Sequence, residues 1–278
     1  MHVILKQLEA EALGGKTVFP THMEMAMRVC RAIDDPESSL EQLSTLIRAE
    51  PLLAARTVAM ANSVVYNRSG QPITDVQKAI SWVGLKTLSG LAMALIVRQM
   101  QEMPALPAHR VLASKLWDHT AHVASLSYVL ASRITCQDPN VAFFAGIVHA
   151  VGGFYLISRA ASFPGLLEAE APLQGWYRDG EVRLGRTVLK ALEVPQPVFD
   201  AIDSMWKGTL MPIPISLSDT LQLAVRLAPA SPLDVLSGQC PANGDSAKID
   251  FAVGDGNLSG ILKDSAEEVA SLVAVLKS

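Results

Sequence analysis

The chain has 278 residues, half of them hydrophobic and 18% charged, which excludes a disordered or fibrous protein and gives enough apolar material for a large core. Lys and Arg number 23 against 27 Asp and Glu, a formal charge of -4, so the general cationic field of a nucleic-acid binder is missing. Three scattered cysteines, Cys30, Cys136 and Cys240, form no CxxC pair and fit a reducing compartment.

The first residues carry Glu9 and Glu11 and no sustained apolar run, unlike a secretory signal, so the expectation is a cytoplasmic protein. Thr21 can cap a helix with Met25, Ala26, Val29, Cys30 and Ile33 on one face, stopped by Asp34-Asp35-Pro36. Ser38 with Glu41 makes a capping-box pattern for the next helix, which carries Leu40, Leu43, Leu46 and Ile47. Glu50-Pro51 ends that segment and starts a third running towards Asn62, because proline is disfavoured after a helical residue but welcome at a first helical position.

Turn formers fill 67–72. Beyond them Thr74 with Gln77 suggests another capping box for a helix to Trp82, ended by Gly84. Leu85 to Met100 reads as a further helix, closed by Pro104 and Pro107. Ala108 to Ile134 is the longest periodic segment, and His119 lies on its stripe with Leu112, Leu116, Val123, Leu126 and Leu130, which points it at the core.

From Pro139 to Ser158 there is no charged residue, a pattern shared by core helices and membrane spans. Pro139, Asn140, His149 and Gly152-Gly153, without flanking basic clusters, favour a core helix. Prolines divide the following stretch into short helices. After Ser216 the expectation is a helix through Leu227, a looser stretch from Pro229 to Gly260 with a brief strand around Ile249 to Val253, and a last helix from Ser265 to Leu276. No internal repeat is present.

Reactive groups concentrate in two places: Trp117-Asp118-His119-Thr120-Ala121-His122, and a histidine in an apolar helix at Gly146-Ile147-Val148-His149-Ala150-Val151-Gly152-Gly153. Either alone is weak evidence, since a lone histidine in such a setting is commonly a hydrogen-bonded core residue. No phosphate-loop, dinucleotide, nucleophile-elbow or HExxH motif occurs, and Gly254-Asp255-Gly256-Asn257 reads as a turn. The grouping Arg178, Arg183 and Arg186 reads as a solvated face, with a docking patch as the alternative; Met23, Met25, Met27 and Met60 read as core fillers.

A histidine on a long helix followed some thirty residues later by an apolar helix with a second one resembles the HD phosphohydrolase superfamily. The segments Phe19-Pro20-Thr21, Leu46-Ile47-Arg48-Ala49-Glu50-Pro51-Leu52-Leu53-Ala54-Ala55-Arg56, Ala61-Asn62-Ser63, Pro72-Ile73-Thr74 and Ala79-Ile80-Ser81-Trp82-Val83-Gly84-Leu85-Lys86 narrow this. Over about 18–206 the chain resembles the HDOD family, the HD-related output domains of bacterial signalling proteins.

The resemblance implies an all-α, multi-helix HD-like bundle with an additional N-terminal helical half. The implied organisation is an extension at 1–17, an HDOD domain at 18–210 made of halves 18–104 and 108–210, and a mostly helical extension at 211–278 packing on the bundle. In catalytic relatives the metal-holding motif would fall at His119, His149 and position 150, where this chain has Ala150 in place of aspartate. A methyl group cannot coordinate a cation.

All six histidines, His2, His22, His109, His119, His122 and His149, precede residue 150, and where the family shows a later histidine pair this chain has Asp203 and Trp206. The family's basic position in the second motif is Gly153. The expectation is therefore no catalytic residue, no metal and no cofactor, with a mononuclear site from His119, His122 and His149 plus Asp118 or Asp203 as the salvage arrangement. The implied function is a non-catalytic signalling module whose partner is a sensor kinase, response regulator or cyclic-dinucleotide enzyme. The flanks are too short for a fused partner domain, so input is expected from outside. The alternatives are a divergent metal-dependent phosphohydrolase acting on a nucleotide or cyclic dinucleotide, and a vestigial pocket that senses a small ligand.

Overall fold

Prolines and glycines place the breaks between helices, and the computed structural model describes residues 2–13, 21–164, 166–167, 176, 180–208, 214–237, 252–253 and 256–278. Its first helices are α1 (His2–Leu13), α2 (Thr21–Asp34), α3 (Leu40–Arg48), α4 (Pro51–Ala61), α5 (Val76–Val83) and α6 (Leu85–Glu102). The capping box of α3 is Ser39 with Gln42, one residue beyond the pair expected from sequence: Ser39 Oγ accepts the Gln42 amide and Gln42 Oε1 accepts the Ser39 amide. That frame turns Leu43 and Ile47 inward and leaves Leu40 exposed. The cap of α5 is likewise Asp75, not Thr74, with its carboxylate on the Lys78 amide. Pro51 does open α4, and Thr21 is the first residue of α2.

Gly84 separates α5 from α6 at φ +80°, a conformation open to glycine and strained for other residues, and the two helices meet at 109°. From there α6 runs back through the molecule and packs against α2 and α8 (Pro139–Val148).

The central element is α7 (Pro107–Leu130), shorter than the periodicity suggests because its end relaxes into a π-turn at Ala131–Thr135, closed by Cys136 at φ 51°. Asp138 caps α8 with Pro139 in first position. The uncharged stretch is broken by a turn at His149-Ala150 before α9 (Val151–Arg159). The helical run Pro139–Ser162 is long and apolar enough to cross a membrane, and 83% of its most apolar window is buried against the rest of the chain.

The remainder is α10 (Glu181–Ala191), α11 (Gln196–Lys207), α12 (Leu217–Leu227), the short α13 (Pro232–Leu236), a ribbon of β1 (Ala252–Val253) and β2 (Gly256–Asn257), then α14 (Leu258–Asp264) and α15 (Ala266–Lys277). The architecture is all-α, with this two-residue ribbon the one paired segment among the described residues. Of the brief strand expected at Ile249 to Val253 only the last two residues are described, and α14 occupies ground expected to be loop.

One continuous core of buried apolar residues joins the helices before Pro104 to those after Pro107, and a smaller cluster under α12 contains Val123, Leu130 and Leu223. Around α7 stand α6, α8, α9, α12 and α15, so the helix that bears His119 is covered on several sides. Arg56, 4% exposed, donates to the backbone carbonyl of Ser278, which ties α4 to the end of α15.

Candidate functional site

The site begins with close helix packing. A side-chain carbon added to Gly146 on α8 would lie 2.5 Å from Ala124 Cα on α7, so only glycine permits this approach. His149 follows three residues later, at the C-terminal cap of α8, and meets His119 on the buried face of α7. The rings lie with centroids 5.4 Å apart and tilted by 57°.

Hydrogen bonds fix the tautomers. His119 Nδ1 is 2.6 Å from the Pro229 carbonyl and His149 Nδ1 is 2.7 Å from the Gly146 carbonyl. A carbonyl oxygen only accepts, so both Nδ1 atoms carry hydrogen. In the neutral rings both Nε2 atoms are then acceptors, and they face one another at 3.4 Å. Burial, reinforced by the neighbouring His119, pulls His149 down to about 3; burial also lowers His119, opposed by the Pro229 carbonyl and aided by His122. The pair is neutral at physiological pH, with two lone pairs directed at each other.

The histidines line a cavity of roughly 380 Å³ together with Ala150, Glu181, Trp206 and Leu233. Its far wall comes from chain that follows the HD-like motifs. Pro229 supplies the carbonyl to His119, and Leu233 Cδ1 lies 2.9 Å from where a side-chain carbon on Gly153 would stand. A lysine stem at Gly153 would run into Leu233 and Leu116.

Glu181, the first residue of α10, is the acidic group sequence reading missed. It precedes Leu184, Gly185 and Val188 by three, four and seven residues and so shares the inward stripe of an otherwise amphipathic helix; that register is the signal which could have found it. Burial and the Asp234 carboxylate push the Glu181 carboxyl up to about 7, with the Trp206 indole acting against the rise.

The other candidate ligands lie elsewhere. Asp118 pairs with Lys277 on α15 at 2.8 Å, and His122 donates from Nδ1 to the Asp118 carbonyl on its own helix. Asp203 is held by Arg186 and Lys207. Of the arginine grouping, Arg183 pairs with Glu9 and Arg186 with Asp203, while Arg178 lies outside the described residues.

An HD-type metal centre is met in part only. Two nitrogen ligands of one tetrahedral ion, each about 2.0–2.1 Å from it, stand about 3.3 Å apart, close to the spacing of the two Nε2 atoms. Backbone carbonyls on both Nδ1 atoms are the outer contacts that metal-binding histidines use. Position 150 presents a methyl group to the cavity, and among the described residues no three His, Cys, Asp or Glu side chains converge on a common point.

Comparison with known proteins agrees with this architecture. The chain is similar to the structure named "Putative metal-dependent phosphohydrolase" from Shewanella amazonensis SB2B, with a TM-score of 0.72 and 20% identity over 99% of this chain and 98% of that one. It is similar also to an HDOD domain protein of unknown function from Geobacter sulfurreducens, with a TM-score of 0.61 and 19% identity over 98% and 97% of the two chains. At these identities the likeness establishes the fold. A search of curated proteins finds no match. The family description "HDOD domain" matches residues 19–173, more than half of the sequence, and the chain belongs to the HDOD family.

Proposed function

We propose that this HDOD protein is a cytoplasmic signalling module that acts through protein contacts and not through HD-type hydrolysis. The observation that carries the reading is Ala150, a methyl group on the cavity wall beside a neutral histidine pair, where hydrolysis needs a carboxylate to hold the ion that activates water. Pro229 and Leu233 support it, since they occupy space beside His119 and Gly153. The partner class is a sensor kinase, a response regulator or an enzyme of cyclic-dinucleotide turnover.

Elemental analysis of tag-free protein purified without chelator, beside the His149→Ala variant, is the decisive experiment. Folded, metal-free wild type is the expected result, followed by co-purification of one of these partners from the source cell. Near-stoichiometric metal that disappears in the variant would refute the proposal.

One observation favours a second reading, a divergent phosphohydrolase acting on a nucleotide or cyclic dinucleotide: the 3.4 Å Nε2 separation suits two ligands of a single ion. The same elemental analysis decides between the two.

A further inference from the structure

The His119–His149 pair itself has no proton to give. Both Nδ1 hydrogens are committed to carbonyls, which leaves two imidazole lone pairs 3.4 Å apart with no donor between them. Two facing acceptors are unfavourable until an N–H or O–H group bridges them.

Glu181 and Asp234 line the same cavity, and a bound cation would favour the ionised form of Glu181. The indoles of Trp176 and Trp206 complete it with aromatic surface, which attracts cations. The basic residue on the lining, Arg226, is solvent-exposed. Gln222, Ser231 and Arg226 give the lining some donors, but at the histidine pair an anion would meet lone pairs, whereas a cation bearing N–H groups would meet acceptors there, with two carboxyl groups and aromatic faces on the same lining. The volume of roughly 380 Å³ suits a small molecule.

We propose that this cavity binds a small organic cation with N–H donors, an alkylammonium or guanidinium compound, whose N–H groups satisfy the two Nε2 atoms while Glu181 supplies the countercharge. The proposal rests on the reading that the histidine pair holds no metal ion. It makes the cavity the input of the signalling module.

The test is a thermal-shift and calorimetric titration of the full chain with n-butylamine and methylguanidine, each at constant ionic strength. The neutral n-butanol and inorganic phosphate serve as controls, and metal content is measured on the same batch. The expected result is a Tm that climbs with either cation and not with butanol or phosphate, and a Kd roughly tenfold weaker in Glu181→Gln, the loss of one charge-assisted contact. Equal responses to butylamine and butanol, preference for phosphate, an unchanged Kd in Glu181→Gln, or no response in metal-free folded protein would each overturn the ligand assignment and leave the metal-free reading standing. Stoichiometric metal on the pair would overturn both.

Discussion

His119 and Pro229, 110 residues apart, are joined by a 2.6 Å hydrogen bond from imidazole Nδ1 to carbonyl oxygen. This contact sets the tautomer of one histidine, and the Gly146 carbonyl sets that of the other. The chemistry of the cavity follows from these two backbone oxygens, and so do its measurable properties.

Acid should destabilise the protein through the pair. The native pKa of His149, about 3, lies below the ordinary value of 6.5, so the unfolded chain takes up a proton as pH falls below 6.5 while the native state does not until near 3. The contribution of His149 is therefore complete above 6.5 and falls by about 1.4 kcal/mol per pH unit on the way down. His119 is shifted the same way, so His149→Gln should make this slope shallower without abolishing it. Urea midpoints at pH 7.5, 6 and 4.5 give the answer, and parallel curves for variant and wild type would contradict it.

Glu181 has the opposite sign. Its native carboxyl, at about 7 against an ordinary 4.5, holds a proton longer than the unfolded chain does, so stability is lost as pH rises from 4.5 through 7. In the absence of ligand, Glu181→Gln should match wild type near pH 4 and exceed it by about 1–3 kcal/mol at pH 8. A variant less stable than wild type at pH 8 would mean that the ionised carboxylate has a partner in the native protein.

Ala150→Asp should create what the histidine pair lacks. A carboxylate on the cavity wall gives an anionic third ligand, and zinc or manganese should bind on the order of tenfold or more tighter than to wild type. Equilibrium dialysis with the metal measures it; equal weak binding by both proteins would show that position 150 does not aim at the pair.

Asp118→Asn should leave metal content and the cavity untouched. Its pair with Lys277 is half-exposed, so the expected loss is below about 1 kcal/mol. A larger loss in a denaturation midpoint would reveal a role for Asp118 beyond this contact.

Gly146→Ala should cost about 1–3 kcal/mol, because the added methyl meets the Ala124 backbone, which has no flexible end to swing away. A urea midpoint unchanged from wild type would show that α7 and α8 separate without strain.

Much of the fold was legible because punctuation in the sequence is strong: Pro51, Gly84, Pro107 and Asp138-Pro139 each stand at a helix boundary. Cap registers were harder, since Ser38 with Glu41 and Ser39 with Gln42 both satisfy the pattern and packing of Leu43 and Ile47 decides between them. The break at His149-Ala150 was hidden within an apolar run that carries no helix stop before Gly152. In the site, His119 and His149 were visible as histidines in apolar company. Pro229 was not, because its contribution is a backbone carbonyl and leaves no mark in residue type. Glu181 looked like one more helical glutamate until neighbouring elements showed which face is covered.

The spacing of these contacts along the chain carries a kinetic consequence. His119 and His149 are separated by 30 residues, whereas Pro229 lies 110 residues from His119. Closing the longer loop costs about 1 kcal/mol more in chain entropy than closing the shorter one. Folding order should follow this difference, with the imidazoles meeting first and the Pro229 segment arriving afterwards. For that interval the newly formed pocket stands open on one side, and a ligand present during synthesis would reach it more readily than one added to the finished protein.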